Sequence, residues 1–193
     1  MADGFIRWYR ESAAVPAFAE QTQLFAAHGI ALTHPVRGTA VVLDVEGDGV
    51  LMHQEELGRL LGLRIASLTM QWWFSADIDV TDEYAYEPLG CEIQTLWLDG
   101  LTPGQADTVE AAVVAATTAL PTPTRAVIVD RHGAGDPADW DSPVLYDGEN
   151  LPTVHDRVYA RHPLTQKLLT AQPTLNSNET VGDLTAVSPT PTH

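Results

Sequence analysis

From Ala66 to Val80 every even-numbered residue is apolar: Ala66, Leu68, Met70, Trp72, Phe74, Ala76, Ile78 and Val80. The odd-numbered residues are Ser67, Thr69, Gln71, Ser75, Asp77 and Asp79, with Trp73 the one exception. Side chains alternate across a strand, so a period of two predicts β-structure with one buried and one wet face. At ~3.3 Å per residue the run would reach roughly 50 Å, beyond a usual strand, so a bulge or bend is expected near Ser75. Glu87-Pro88-Leu89-Gly90 is turn chemistry. After it Cys91, Ile93 and Trp97 share one phase, which predicts the return strand of an antiparallel hairpin.

The flanks extend the pattern. Thr39 to Val45 is β-branched and apolar, a strand, and His53 to Leu61 places Leu57, Leu60 and Leu61 on one helical face with Gly62 as cap. Thr102-Pro103-Gly104-Gln105 is a capping-box sequence that opens a helix carrying Ala106, Val109, Val113, Ala116 and Leu120 inward. Arg125 to Asp130 reads as a short strand. The order β-α-β-β-α-β predicts an α+β fold, a ferredoxin-like sandwich over residues 39–131 with an antiparallel sheet and helices on one face. Residues 1–38 are expected to form a strand/helix appendage, with Phe5 to Tyr9 at a sheet edge and Pro16 to His28 helical. Residues 132–172 are expected to supply an acidic loop and a helix (163–171) packed on the core. Residues 173–193, rich in Thr, Ser, Asn and Pro, read as a mobile tail.

Charge is distributed as unevenly as hydrophobicity. Residues 65–156 hold sixteen Asp or Glu against two arginines, and so carry nearly all of the net charge of −16. Such a field disfavours nucleic acid and anionic membrane and favours a basic protein partner. No run approaches the ~18 consecutive apolar residues of a membrane span. The N-terminal residues lack the pattern of an export signal, and the single cysteine, Cys91, fits a reducing compartment. Together these predict a cytoplasmic protein.

Two loops contain metal-like spacing. Asp44-Val45-Glu46-Gly47-Asp48-Gly49-Val50-Leu51, followed by Glu55, resembles an EF-hand calcium loop, with acids at positions one, three and five, Gly at six and Glu at twelve. That resemblance implies Ca²⁺ held by Asp44, Glu46, Asp48 and Glu55. Glu46 departs from the usual Asp or Asn, and the incoming segment reads as a strand, so a Gly-Asp-Gly turn with solvated acids is the competing reading. Asp130-Arg131-His132 and Gly135-Asp136-Pro137-Ala138-Asp139 resemble the metal motifs of calcineurin-like phosphoesterases, but they lie too close together to converge on two metals. One metal on Asp130, His132 and Asp136 is the remaining option there. Cys91 shares the phase of Ile93 and reads as a core residue rather than a nucleophile.

The acids of the alternating segment fall on its odd face: Asp77, Asp79, Glu83 and Glu87. Trp73 belongs to that face too, where it is either covered by another element or anchors a partner. Trp72, Phe74 and Trp97 read as core. These features predict a non-enzymatic binding protein of the inhibitor or immunity type, with Trp73, Asp77, Asp79, Glu83 and Glu87 meeting a basic partner. Three other readings stand beside it: a calcium module built on the Asp44 loop, an enzyme of unidentified class, and a peptide precursor whose Thr/Ser-rich tail is modified.

Overall fold

A computed structural model describes residues 3–11, 17–64, 67–87 and 90–190. The chain runs β1 (Phe5–Glu11), α1 (Phe18–Ala27), β2 (Ala40–Leu43), β3 (Gly49–Met52), α2 (Gln54–Gly62), β4 (Ser67–Ser75), β5 (Ile78–Glu87), β6 (Cys91–Trp97), α3 (Pro103–Ala119) and β7 (Thr124–Asp130). A 3-10 turn (Pro137–Trp140) then leads into α4 (Asp141–Leu145), β8 (Arg157–Ala160), α5 (His162–Ala171), β9 (Leu175–Val181) and β10 (Leu184–Pro189). All ten strands join one sheet in the order β3-β2-β4-β5-β6-β1-β7-β8-β10-β9, and every pairing is antiparallel.

The class is mixed α+β, as expected, but the ferredoxin-like sandwich is not what forms. Ten strands exceed that description, and helices pack on both faces of the sheet rather than one. On one face α1, α2 and α3 bury Phe25, Leu57, Val109 and Val113 against Trp8, Met70, Trp72, Leu96 and Val127. On the other, Trp140, Leu145 and Leu168 from the 3-10 turn, α4 and α5 pack on Phe5, Tyr9, Ile128, Val158 and Val187.

The long alternating segment is two strands. β4 and β5 turn at Ala76-Asp77, with a register shift between Trp73 and Ser75, where the bend was expected. Trp72 faces Val80 and Met70 faces Asp82, so partners differ by an even number and the parity of the buried face survives the turn. That is why the alternation reads as unbroken. Ala66, the first residue of the pattern, and Pro88-Leu89 of the next turn lie outside the described residues, as does Pro16 at the expected start of the first helix.

Two expectations about the ends are corrected. β1 is no edge strand: it lies between β6 and β7 at the centre of the sheet. Phe5, Ile6, Trp8 and Tyr9 are all buried, since each face of this strand is covered by its own helical layer. Its entry is tight, because a Cβ on Gly4 would stand 1.8 Å from the Asp130 carbonyl oxygen. The polar C-terminal segment pairs as the β9–β10 hairpin, whose Leu175, Leu184, Ala186 and Val187 supply buried residues. Four apolar anchors suffice for a hairpin docked on an existing sheet edge. Residues 191–193 lie outside the described residues.

The local signals around α3 appear as expected. Thr102 and Gln105 form both halves of the capping box, and Ala106, Val109, Val113 and Ala116 are buried.

Candidate partner-binding face

The second helical layer covers only part of its side of the sheet. Among the described residues its packed cluster takes Phe5 and Tyr9 from β1, Cys91, Ile93 and the partly buried Trp97 from β6, and residues of strands beyond β1, but nothing from β4 and only Ala85 from β5. The part of that side formed by β4 and most of β5 therefore lies outside this layer. Register fixes what stands on it. Thr69, Glu83, Thr95 and Arg7 form one row across β4, β5, β6 and β1. Gln71, Thr81, Trp97 and Phe5 form the next. Asp79 lies opposite Trp73, and Glu87 opposite Cys91.

Three of the four expected acids, Asp79, Glu83 and Glu87, thus line one face of β5. Asp77 sits at the tip of the β4–β5 turn, its backbone N–H donating to Ser75 Oγ at 3.4 Å. The Asp79 carboxylate accepts from Gln71 Nε2 at 2.9 Å, and partial burial raises its pKa above the usual carboxylate range.

Trp73 shares this face but is 8% exposed. Its backbone pairs with Ala31 on both sides, and the His34 ring meets it edge-on at 4.4 Å. The segment between α1 and β2 therefore covers it, which is the first of the two alternatives open from sequence. Trp97, read as core from the periodicity, is partly buried at the margin of the second cluster and borders the acidic face. Its ring meets Phe5 at 6.2 Å and 67°. Hollows of about 520 Å³ and about 390 Å³ both touch it. The first is lined by Asp3, Arg7, Glu83 and Asp136, the second by Gln71, Asp79, Thr81 and Asp99.

The cation in this region, Arg7, is fully engaged. Its Nη2 donates to both Asp141 oxygens at 2.7 and 2.9 Å, its Nη1 to Thr95 Oγ1 at 2.7 Å and its Nε to Tyr9 Oη at 2.8 Å. Tyr9 Oη in turn donates to Asp141 at 2.7 Å. This cluster ties α4 to the sheet and neutralises Arg7.

Beneath α1, on the opposite face, lies a polar group that the parity of Asp82 signals, since this acid stands in the apolar phase of β5. Asp82 Oδ2 accepts from Trp72 Nε1 at 2.9 Å and Gln94 Nε2 at 2.6 Å. Gln94 Oε1 accepts from Arg10 Nη2 at 2.6 Å, and Arg10 Nη1 donates to Gln21 Oε1 at 3.0 Å. Glu92 stands 3.3 Å from Arg10. Burial pushes the Asp82 carboxyl up to about 6 against the lowering effect of those donors and of Arg10.

The loop candidates arrange differently from a metal site. Asp44 Oδ1 accepts from the backbone N–H groups of Glu46 and Asp48 at 3.0 and 2.8 Å, closing the β2–β3 turn. Glu55 lies beyond β3 in the first turn of α2, beside a hollow of about 800 Å³ shared with Phe18, Thr33, His53 and Gly58. The EF-hand ligand set is therefore split across the length of a strand, because the segment after Gly49 pairs with β2 instead of entering a helix. Asp130 accepts from the backbone of His132 and Gly135, so its carboxylate shapes its own loop. Among the described residues no group of three or more His, Cys, Asp or Glu is placed to hold a metal ion. Cys91 is buried and its thiol is pushed up to about 11 by burial. No helix of the described residues is long and apolar enough to cross a membrane.

No family model, curated protein or solved structure matches the chain.

Proposed function

We propose that this chain is a non-enzymatic acidic binding protein of the inhibitor or immunity type, which holds a basic protein partner on the open face of its sheet. The observation that carries the reading is the row of Asp79, Glu83 and Glu87 along the face of β5 that the second helical layer leaves largely uncovered. Like charges on one strand face repel one another, and a cationic surface seated across them offsets that cost. In this reading Trp97, which borders both hollows, replaces the covered Trp73 as the aromatic of the contact set. The compartment that suits this role, a reducing cytoplasm, is part of the same proposal.

The test starts with affinity capture of a partner at low salt and its release at high salt. The purified partner is then titrated against the wild-type chain and the Asp79→Asn/Glu83→Gln/Glu87→Gln variant. Association of the variant is expected to slow by about tenfold or more at low salt, with a flatter salt dependence. A folded variant with unchanged affinity and salt dependence contradicts the proposal.

A further inference from the structure

The open face has a centre, and its chemistry is more specific than negative charge. Trp97 stands directly across from Thr81 on β5 and Phe5 on β1. Asp79 and Glu83 are therefore its diagonal neighbours, about 7–8 Å away along β5. Phe5 meets the indole edge to face, and Trp97 lines both hollows. Carboxylates line both: Asp3, Glu83 and Asp136 on one side, Asp79 and Asp99 on the other. A partly exposed indole alone suits any apolar group, and scattered carboxylates alone are ordinary solvated surface. An indole with carboxylates on either side suits a flat cation, which stacks on the ring and donates outward to the acids.

Resting on the reading of this face as the partner-binding surface, the geometry points to Trp97 as the seat of an arginine side chain of the basic partner, with Asp79 and Glu83 receiving its N–H groups. Arg7, two strands along the row from Glu83, does not fill the seat, because its donors are spent on Asp141, Thr95 and Tyr9. A guanidinium fits better than an ammonium here, since its planar face matches the ring while its edge carries several donors. The carboxylates stand on opposite sides of an indole, which spaces them for a broad cation rather than for one metal ion.

The test uses the full chain and three glycine-spaced synthetic peptides that carry arginine, lysine or citrulline, the last a neutral isostere of arginine. The other tryptophans, Trp8, Trp72, Trp73 and Trp140, are 0–8% exposed, so a fluorescence change on peptide binding reports Trp97. The arginine peptide is expected to give a saturable change, the lysine peptide to bind several-fold more weakly, and the citrulline peptide not to bind. By calorimetry, Trp97→Leu should weaken arginine-peptide binding about three- to fivefold with the melting temperature retained. Asp79→Asn/Glu83→Gln should weaken it further and remove most of its salt dependence. If Trp97→Leu binds like wild type, or lysine and arginine bind equally, the face reads charge alone and the seat is overturned while the binding face stands. If wild type binds none of the peptides the seat is also overturned, and the affinity of the acid-neutralised variant for the captured partner judges the face separately.

Discussion

Asp82→Asn removes a carboxylate from the buried network under α1, and the structure sets both the sign and the size of the effect. Burial raises the Asp82 carboxyl from the ordinary 3.8 to about 6, so the folded chain holds this proton over a range where the unfolded chain has lost it. Stability from this group is fully present below the unfolded value and is lost as pH rises through the folded one. At about 1.4 kcal/mol per pH unit, the whole interval is worth about 3 kcal/mol. An asparagine at the same place still accepts from Trp72 and Gln94 through its Oδ1, while its new N–H₂ takes the position of Asp82 Oδ1, which has no hydrogen-bond partner. That orphaned donor adds a constant offset of about 1–3 kcal/mol, independent of pH. The informative quantity is therefore the change with pH of the difference between variant and wild type. Urea unfolding followed by fluorescence should show the Asp82→Asn variant gaining on wild type by about half of the full amount between about pH 5 and about pH 8. A flat difference would mean that Asp82 is already ionised throughout. A carboxyl depressed by Arg10, the opposing cation of this network, would also leave this window flat and would show itself below about pH 4, where wild type would lose stability relative to the variant as the pH falls.

Three further outcomes follow from packing and charge. Gly4→Ala forces a Cβ to within 1.8 Å of the Asp130 carbonyl at the entry to the central strand, and should cost more than about 3 kcal/mol in urea unfolding. Cys91, with its thiol pushed up to about 11 and buried in the sheet, should react with a disulfide reagent at neutral pH only as fast as the protein unfolds; prompt labelling of the native protein would contradict this. Calcium should leave thermal unfolding unchanged, because no three acids of the described Asp44 loop and α2 are grouped to hold a metal ion, whereas a micromolar site would stabilise the fold by about 4 kcal/mol at a thousandfold excess.

What the sequence revealed depended on whether one residue's surroundings were local. The capping box at Thr102 and Gln105 and the buried stripe of α3 are decided within a few turns of chain, and both were legible. The alternation of β4 and β5 was legible as β-structure, but the turn at Ala76-Asp77 was hidden because the hairpin register preserves parity. β1 and the β9–β10 hairpin were misplaced for a different reason. Whether a strand is central or at an edge depends on pairings with residues far away in sequence, such as Arg7 with Thr95 and Ile128. The acids of the open face were legible from the same parity, and the structure keeps Asp79, Glu83 and Glu87 together. Which of its two alternatives Trp73 takes was left open, since its cover comes from the Ala31–Trp73 bridge, a contact distant in sequence. Asp82 did leave a signal, an acid at an even position among Val80, Tyr84 and Tyr86.

The most direct measurement is side-chain footprinting of the complex with the captured partner, reading oxidation of Trp97 on the open face against Tyr146, which is 59% exposed on the α4 side. The account predicts that Trp97 loses most of its reactivity on binding, that backbone exchange slows across β4, β5 and β6, and that Tyr146 reacts as in the free chain. Protection centred on α1–α3 or on the β3 edge, with Trp97 as reactive as before, would contradict the claim that the open acidic face is where this protein meets its partner.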